Sequence, residues 1–353
     1  MTTSVPTEFA LIGAGAIAQT YACAFAQCEG IRVVGVADTR LECAQTLAAG
    51  LGCAAFRSYQ EMLAASDFKA AVVCTPPSTH LEICTWLLHR GVHVLCEKPL
   101  AIDSGSAREM VDAAEGADVR FTMASKFRFV DDVIAAKAMI DSGVLGQVML
   151  FENQFTGRVD MSKRWNSDPA ISGGGVLIDN GTHSLDILRY FLGPLSDLQV
   201  VEARRHQNLP VEDTVCLFVR TAEGVVGTID LSWSISKDQP YYISIYGAQG
   251  TLHVGWKESK YRRVGDPQWT VFGKGYDKVA AFRNQLLNFL GAIQGRQPLR
   301  ITPHDAIASV EAVEAAYEAM RGTRWRPVST RFRQTLPPVA AGRNGGPAPP
   351  LHV

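Results

Sequence analysis

An apolar run that leads directly into a glycine-rich turn constrains this chain more than any other feature. Residues 9–12 are apolar, and a helical pattern follows Gly13-Ala14-Gly15-Ala16-Ile17-Ala18. Gly13 permits a tight turn, Gly15 lets the backbone approach a ligand closely, and Ala18 allows the helix to pack against the strand. The first N–H groups of such a helix point at negative charge. The turn therefore predicts a site for the pyrophosphate of a dinucleotide.

Further apolar runs alternate with helical patterns through the first third of the chain. We expect strands at residues 9–12, 33–37, 70–74 and 92–96, and helices at residues 17–28, 41–49 and 81–90. Ser78 is the predicted N-cap of the last helix, and Gly91 its left-handed C-terminal residue. Alternation of this kind is typical of βαβ units and a parallel sheet. We predict that residues 1–124 form a Rossmann dinucleotide-binding domain.

The pattern changes after residue 124. Longer alternating runs at residues 148–155, 198–206, 215–221, 225–233 and 241–246 predict a largely antiparallel sheet, and Glu223-Gly224 and Ala248-Gln249-Gly250 are the predicted hairpin turns. Helices are expected at residues 131–141, 277–292 and 303–320, and from about Val176. We therefore predict an α/β fold with a second α/β domain over residues 125–330 whose sheet is open. Residues 331–353 are rich in proline and glycine, and we expect a disordered tail there.

Composition limits the partners of the chain. A length of 353 residues suits two domains with a cleft between them. The formal net charge of -1 leaves no basic excess for nucleic acid or an anionic membrane, and no apolar stretch is long enough to span a bilayer. We expect a soluble, cytoplasmic protein. The 8 cysteines show no Cys-x-x-Cys spacing, so we predict reduced thiols, no disulfide and no metal site.

Asp38 closes the second predicted strand, where a carboxylate can accept hydrogen bonds from the adenosine ribose. The same carboxylate would repel a 2′-phosphate, so we predict NAD as the cofactor in preference to NADP. Arg40 lies two residues further on and is able to compensate that repulsion. Because of Arg40, NADP stays an alternative cofactor.

Glu97-Lys98-Pro99 follows the fourth predicted strand. Ligands of open α/β sheets bind outside the carboxyl ends of the strands, so Lys98 should point into the cleft. The segment Thr75-Pro76-Pro77-Ser78-Thr79-His80 leaves the preceding strand at the same edge and should border the nicotinamide ribose. The sequence does not decide whether the Lys98–Pro99 peptide bond is cis or trans.

A third motif carries proton-transfer chemistry. The glycines of Gly173-Gly174-Gly175 lead into a predicted helix on which Asp179, His183 and Asp186 share one face. An imidazole can take or give a proton near neutral pH, and a carboxylate can fix its tautomer. His183 is therefore the predicted base and Asp179 its partner, whereas Asp186 is expected to orient or pack.

Taken together, residues 9–328 resemble the Gfo/Idh/MocA family, which includes glucose-fructose oxidoreductase and inositol dehydrogenase. The resemblance depends on the glycine turn, Thr75-Pro76-x-x-x-His80, Glu97-Lys98-Pro99, and the glycine run with Asp179, Gly181, His183 and Asp186. It implies a nicotinamide cofactor, sugar or cyclitol substrates, and a homodimer or homotetramer formed through the open sheet.

The resemblance also implies roles for individual residues. Lys98 matches the active-site lysine of the family, and Asp179 and His183 match the pair that handles the hydroxyl proton. Many relatives have an uncharged amide at the position of Lys126. The implied cofactor contacts are Gly13, Gly15, Ala16, Ile17, Asp38, Arg40, Thr75, Pro76, His80, Glu97, Lys98 and Trp165. The implied substrate contacts are Lys98, Lys126, Arg128, Arg158, Asp179 and His183.

The expected reaction is oxidation of a secondary ring hydroxyl of a sugar, aminosugar or cyclitol to a ketone, with hydride transfer to nicotinamide. A neutral pyranose is the preferred substrate, and a phosphate or carboxylate group stays an alternative because of Lys126, Arg128, Arg158 and Arg164. The aminosugar hypothesis includes a role in aminoglycoside biosynthesis. Three alternatives remain: reduction of a keto sugar by the same groups, an NAD-dependent glycosidase that recycles its cofactor, and a non-enzymatic NAD-sensing regulator. The sequence leaves the substrate, the carbon oxidised, the direction and the oligomer size open.

Overall fold

A six-stranded parallel sheet forms the first domain of the computed structural model, which describes residues 5–322. Its strands are β1 (Thr7–Ile12), β2 (Ile31–Ala37), β3 (Ala54–Phe56), β4 (Ala70–Val73), β5 (His93–Glu97) and β6 (Phe121–Ala124). Their spatial order is β3-β2-β1-β4-β5-β6, and every neighbouring pair is parallel. This is the Rossmann order, in which the ligand crevice opens where β1 and β4 diverge.

Helices cover both faces of this sheet, as its continuous apolar strands require. They are α1 (Ala16–Phe25), α2 (Leu41–Leu51), α3 (Tyr59–Ala65), α4 (His80–Leu88) and α5 (Ser104–Gly116). The apolar side chains form two buried clusters, one on each side of the sheet.

The second domain contains a mixed sheet of eight strands. They are β7 (Val148–Thr156), β8 (Leu195–Glu202), β9 (Thr214–Thr221), β10 (Val226–Ser232), β11 (Tyr241–Gly247), β12 (Gly250–Gly255), β13 (Ser259–Arg263) and β14 (Thr270–Gly273). Their order is β14-β13-β12-β11-β7-β10-β9-β8, and all pairs are antiparallel except β7 with β10. The prediction of a largely antiparallel sheet is confirmed.

The remaining helices follow the first sheet in the chain. They are α6 (Asp131–Asp141), α7 (Pro169–Ser172), α8 (Val176–Leu192), α9 (Lys278–Ile293) and α10 (Pro303–Gly322). Helices α6 and α8 pack in the core of the second domain. Helix α9 follows the second sheet in the chain but buries Phe282, Leu286 and Phe289 against the first domain. Helix α10 contributes to one core of each domain. The domain boundaries stay a prediction, because these helices pack on both sides of them.

The element predictions differ from the structure at a few places. Both predicted hairpin turns join antiparallel neighbours, and Gly91 has a φ of 76°. Ser78 was the wrong N-cap, because it lies within a 3₁₀ turn, Pro77–Thr79, that leads directly into α4. The sequence reasoning missed three helices and five strands: α3, α5, α7, β3, β6, β12, β13 and β14. The predicted tail, residues 331–353, lies outside the described residues.

Candidate functional site

A cleft of about 570 Å³ lies between the carboxyl ends of β4, β5 and β6 and the start of α8. The predicted site residues that line it are Gly15, Ala16, Ile17, Thr75, Glu97, Lys98, Lys126, Trp165, Asp179 and His183. A second cavity of about 700 Å³ lies at the opposite end of the parallel sheet, beside Arg32 and Gly52. It contains none of the predicted residues, so the first cleft is the candidate site.

The glycine turn is shaped for close approach. Gly13 has a φ of +92°, and a Cβ there would lie 2.8 Å from the backbone carbonyl carbon and oxygen of Cys74. Helix α1 begins at Ala16, and its N-cap, Gly15, provides no side-chain hydrogen bond. The first N–H groups of a helix have no partner within the helix. These donors face the cleft and suit a pyrophosphate.

Asp38 is fixed beside this turn. Its Oδ2 accepts a hydrogen bond from the Ala14 N–H at 2.7 Å, and its Oδ1 accepts one from the Arg40 N–H at 2.8 Å. A carboxylate has about four acceptor positions, so two remain for ribose hydroxyls. The Arg40 side chain is mostly exposed, and its Nε lies 3.8 Å from Asp38 Oδ1. The residues of the turn and of the β2 end thus suit an adenosine ribose and a pyrophosphate together.

His80 is a structural residue rather than a cleft contact. Its side chain is fully buried. The Nε2 lies 2.9 Å from the backbone oxygen of Thr75, and the Nδ1 lies 3.1 Å from the backbone oxygens of Pro99 and Leu100. The predicted cofactor contacts of His80 and Pro76 are therefore not supported, because neither side chain lines the cleft. His80 instead ties the segment after β4 to the segment after β5. The Lys98–Pro99 peptide bond is cis.

Glu97 lines the cleft but is buried. Its Oε1 accepts a hydrogen bond from the Tyr21 hydroxyl at 2.9 Å, and its Oε2 accepts one from the Lys98 N–H at 3.1 Å. Gln285 of α9 donates to the same Tyr21 oxygen at 2.9 Å. Burial raises the pKa of the Glu97 carboxyl, against the opposing effect of Lys98 and Lys126. The chain of hydrogen bonds holds the end of β5 in place.

Lys98 and Asp179 form an ion pair across the cleft. The Lys98 Nζ donates to Asp179 Oδ1 at 2.5 Å and to the Asp179 backbone oxygen at 2.9 Å. Lys98 follows β5 of the first domain, whereas Asp179 lies in the first turn of α8 in the second. The pair therefore joins the two motifs that the sequence placed 81 residues apart.

His183 lies one turn further along α8 and is buried at the cleft. Phe127 contacts the imidazole edge to face, with ring centroids 5.0 Å apart. Its Nδ1 is buried and makes no hydrogen bond within residues 5–322. Burial lowers the pKa of His183 well below its ordinary value, and the nearby Lys98 and Lys126 lower it further. The ring is therefore neutral near pH 7 and able to accept a proton.

The predicted contact between Asp179 and His183 is not present as a hydrogen bond in the described chain, because Asp179 is bonded to Lys98. The two residues share one helix face, and both line the cleft. Asp179 thus orients the lysine rather than the imidazole.

The glycine run before α8 makes room for a buried carboxylate. Glu212 Oε1 accepts hydrogen bonds from the N–H groups of Gly175 and Leu177, both at 3.0 Å, and from the Tyr317 hydroxyl at 2.7 Å. A Cβ on Gly175 would overlap the Glu212 backbone oxygen. Glu212 therefore caps the start of α8 from another segment and holds the turn that carries Asp179. The sequence reasoning missed Glu212 and Tyr317, because neither lies near the motif in the chain.

Arg128 does not reach the cleft. Its Nη2 and Nε donate to the two oxygens of Asp186 at 2.6 and 2.9 Å, and both side chains are buried. Ser125 donates to Asp186 as well, at 2.5 Å. We therefore reassign Arg128 from a substrate contact to a buried ion pair, and Asp186 has the packing role expected of it.

The loop before the glycine run contributes only in part. Trp165 lines the cleft and is 43% exposed, and Arg164 lines it beside Trp165. Arg158 is exposed and does not line the cleft, so the predicted substrate contact of Arg158 is not supported. Aromatic lining that the sequence did not indicate comes from Phe155, Trp233, Trp256 and Phe282.

Three further features describe residues 5–322 alone. No cluster of three or more His, Cys, Asp or Glu side chains suited to a metal ion occurs among them. None of their helices combines the length and apolar character of a membrane span. The eight cysteines are free thiols.

Comparison with known proteins identifies the family. Residues 7–125 match the oxidoreductase family in its NAD-binding Rossmann fold, and residues 137–329 match the C-terminal alpha/beta domain of the same family. These matches take in most of the 353 residues. The chain belongs to the Gfo/Idh/MocA oxidoreductase family.

Two relatives and one solved structure illustrate the similarity. Rhizopine catabolism protein MocA of Rhizobium meliloti is 27% identical over 332 residues, covering 88% of this chain and 94% of the relative. Inositol 2-dehydrogenase of Rhizobium meliloti strain 1021 is 25% identical over 337 residues, covering 90% and 98%. A levoglucosan dehydrogenase in complex with NADH and L-sorbose has a TM-score of 0.84 at 20% identity, covering 90% and 97%. That last likeness concerns the fold.

Proposed function

We propose that this protein is an NAD-dependent dehydrogenase that oxidises a secondary ring hydroxyl of a sugar or cyclitol to a ketone. The observation that carries the proposal is the Lys98–Asp179 ion pair beside the neutral imidazole of His183, in the same cleft as the glycine turn. A cation next to a proton acceptor is what removal of a hydroxyl proton requires.

The cofactor half of the cleft follows from the glycine turn. The first N–H groups of α1 would hold the pyrophosphate, and Asp38 would accept the adenosine ribose hydroxyls. Bound nicotinamide supplies an acceptor for the hydride of the substrate carbon. Because a 2′-phosphate would lie against the Asp38 carboxylate, the site favours NAD over NADP.

The proton half of the cleft uses three side chains. His183 accepts the hydroxyl proton, since its lowered pKa keeps the imidazole unprotonated. Lys98 donates a hydrogen bond to the substrate oxygen and stabilises the negative charge that develops there. Asp179 holds the Lys98 ammonium in position. Microscopic reversibility gives the same groups the opposite roles in ketone reduction, with His183 as the acid.

The named relatives support the substrate class. Inositol 2-dehydrogenase acts on a cyclitol, as its name states, and the levoglucosan dehydrogenase structure holds NADH. The aminosugar and aminoglycoside hypothesis stays a prediction. No described contact favours it, because the two cleft carboxylates, Glu97 and Asp179, already accept hydrogen bonds from Tyr21 and Lys98.

A homodimer or homotetramer remains part of the proposal. Strands β7, β9 and β10 are neighbours in the second sheet, and Met149, Leu150, Phe218 and Val226 are exposed on them. Exposed apolar side chains grouped on one sheet support an interface there. A cytoplasmic location stays a prediction.

Absorbance of NADH tests the proposal. Purified protein is incubated with NAD or NADP and a panel of sugars, cyclitols and aminosugars, alongside Lys98→Ala and His183→Ala. Lys69→Ala and His304→Ala are matched controls, since both side chains are exposed and outside the cleft. We expect NADH from wild type and both controls, and none from the two cleft variants.

Other outcomes separate the alternatives. Cleavage of a glycoside without net NADH would indicate the glycosidase, because its cofactor is recycled. Binding of NAD with neither NADH formation nor glycoside cleavage would indicate the regulator.

A further inference from the structure

Lys126 is a second lysine in the cleft, and no acidic side chain of residues 5–322 forms an ion pair with it. It lies in the 3₁₀ turn Lys126–Phe129, directly after β6, and it lines the cleft beside Lys98. Within residues 5–322 its ammonium makes no hydrogen bond and no ion pair shorter than 4.0 Å. Its contacts are the rings of Phe127 and Phe282, with centroids 5.3 and 6.0 Å away.

The two carboxylates that line the cleft accept hydrogen bonds from groups other than the Lys126 ammonium. Glu97 accepts hydrogen bonds from Tyr21 and from the Lys98 N–H, and Asp179 accepts from the Lys98 ammonium. Burial lowers the pKa of Lys126 to about 8, and the charge of Lys98 acts in the same direction. A partly buried cation without a counter-charge is unfavourable unless a ligand supplies one.

The side chains that line the cleft include more cationic groups than anionic ones. The cationic side chains that line it are Lys98, Lys126, Arg164 and Lys278, and the anionic ones are Glu97 and Asp179. Asp179 is paired with Lys98, and Glu97 accepts hydrogen bonds from Tyr21 and from the Lys98 N–H, so both carboxylates attract Lys126 but neither forms an ion pair with it. A ligand with a negative group would remove this imbalance.

We propose that Lys126 binds a carboxylate or phosphate group of the substrate and so makes this enzyme selective for an anionic sugar or cyclitol. The inference rests on the proposed function, whose cleft and reacting groups it uses. It adds a chemical property of the substrate that the proton-transfer groups do not specify.

The position of Lys126 assigns the anion to the substrate rather than to the cofactor pyrophosphate. The pyrophosphate site is the start of α1, at the glycine turn. Lys126 instead follows β6 and lies close enough to His183 to lower its pKa. The negative group would therefore lie on the same ring as the reacting hydroxyl, near the proton acceptor.

Binding to NADH-saturated protein tests this without turnover. D-Glucose, D-glucuronate and D-glucose 6-phosphate are titrated by calorimetry into wild type, Lys126→Gln, Lys126→Arg and the exposed control Lys69→Gln. We expect wild type, the arginine variant and the control to bind one anionic probe about 10-fold or more tightly than glucose. Lys126→Gln should lose that preference while its affinities for glucose and NADH stay within about twofold of wild type. The tighter of the two anionic probes distinguishes a carboxylate from a phosphate.

Three results would overturn the inference. The first is that wild type binds neither anionic probe more tightly than glucose, or binds none of the probes. Lys126→Gln could keep the preference. Lys126→Gln could weaken NADH instead, which would make Lys126 a cofactor contact. Failure of the proposed dehydrogenase is separate, because it would appear as absence of NADH formation whatever the probes bind.

Discussion

The Lys98 Nζ contacts both the side chain and the backbone oxygen of Asp179, at 2.5 and 2.9 Å. The Lys98 ammonium thus donates hydrogen bonds to two oxygens of one residue in the first turn of α8. The contact joins the end of β5 to the helix that carries His183. The ion pair thus ties the end of β5 in the first domain to the first turn of α8 in the second.

Replacement of Asp38 by Asn should change the choice of cofactor. The amide keeps the shape of the carboxylate but removes the charge that repels a 2′-phosphate. We expect the NADH-to-NADPH affinity ratio to fall by about 10-fold or more. Fluorescence titration of both nucleotides measures it, with Asp67→Asn as an exposed control. An unchanged ratio would show that Asp38 does not meet the ribose.

The kcat/KM for oxidation should stay at its full value at pH values where an ordinary histidine is already protonated. The pKa of His183 is well below 6.5, so the neutral base persists as pH falls through that value. We expect kcat/KM for oxidation to decline only well below pH 6.5, and His183→Asn to lower it about 100-fold or more. A wild-type profile that falls with an ordinary histidine pKa would contradict the assignment, as would an Asn variant with normal activity.

Loss of Glu212 should disturb catalysis from a distance. Its carboxylate caps α8 and meets Tyr317, so Glu212→Ala leaves buried N–H groups without an acceptor. We expect a stability loss of about 1–3 kcal/mol, measured by urea unfolding. The variant should also lower kcat more than it weakens NADH, and Glu212→Gln should restore part of both. Equal kcat in wild type and Glu212→Ala would mean that the cap does not position Asp179.

Arg128→Ala should affect stability far more than substrate binding. It leaves the buried Asp186 carboxylate without its main partner, which costs about 3–5 kcal/mol. Chemical unfolding measures the loss, and KM is compared at a temperature where the variant is still folded. A large rise in KM with unchanged stability would restore the substrate contact that the sequence predicted.

Affinity for an anionic probe should depend on pH through Lys126. The charged groups around it are Glu97, Lys98, Asp179 and Lys278, and its pKa is about 8. Below that value the ammonium is charged and attracts the anion; above it the neutral amine does not. We therefore expect the affinity of NADH-loaded wild type for the tighter anionic probe to fall as pH rises above about 8, while Lys126→Gln stays flat. A flat wild-type profile would oppose the charge pairing.

Local patterns predicted the parallel arrangement of the first sheet and the polar groups Lys98, Asp179 and His183 that line the cleft. The strand, turn and helix around Gly13 are continuous in sequence, and their physical requirements lie within six residues. The same holds for Lys98 after β5 and for Asp179 and His183 one helical turn apart. Such features follow from periodicity and from the rule that ligands meet the carboxyl ends of parallel strands.

Contacts between distant segments could not be predicted in this way. Glu212 lies 37 residues from Gly175, and Arg128 lies 58 from Asp186, so no local spacing indicates either pair. Arg128 and Lys126 are two residues apart, yet one is buried in an ion pair and the other lines the cleft. That difference depends on how the 3₁₀ turn is oriented by tertiary packing. His80 was misplaced for the same reason, since its partners belong to the segment after β5.

The most direct test of the central claim is a double-mutant cycle on the Lys98–Asp179 pair. kcat/KM for NADH formation is measured for wild type, Lys98→Met, Asp179→Asn and the double variant, with NADH affinity as the control for folding. If the two residues act as one unit, each single change should lower kcat/KM about 100-fold or more, and the double variant should be little worse than the poorer single one. Losses that multiply in the double variant, or single variants with normal rates, would contradict the account.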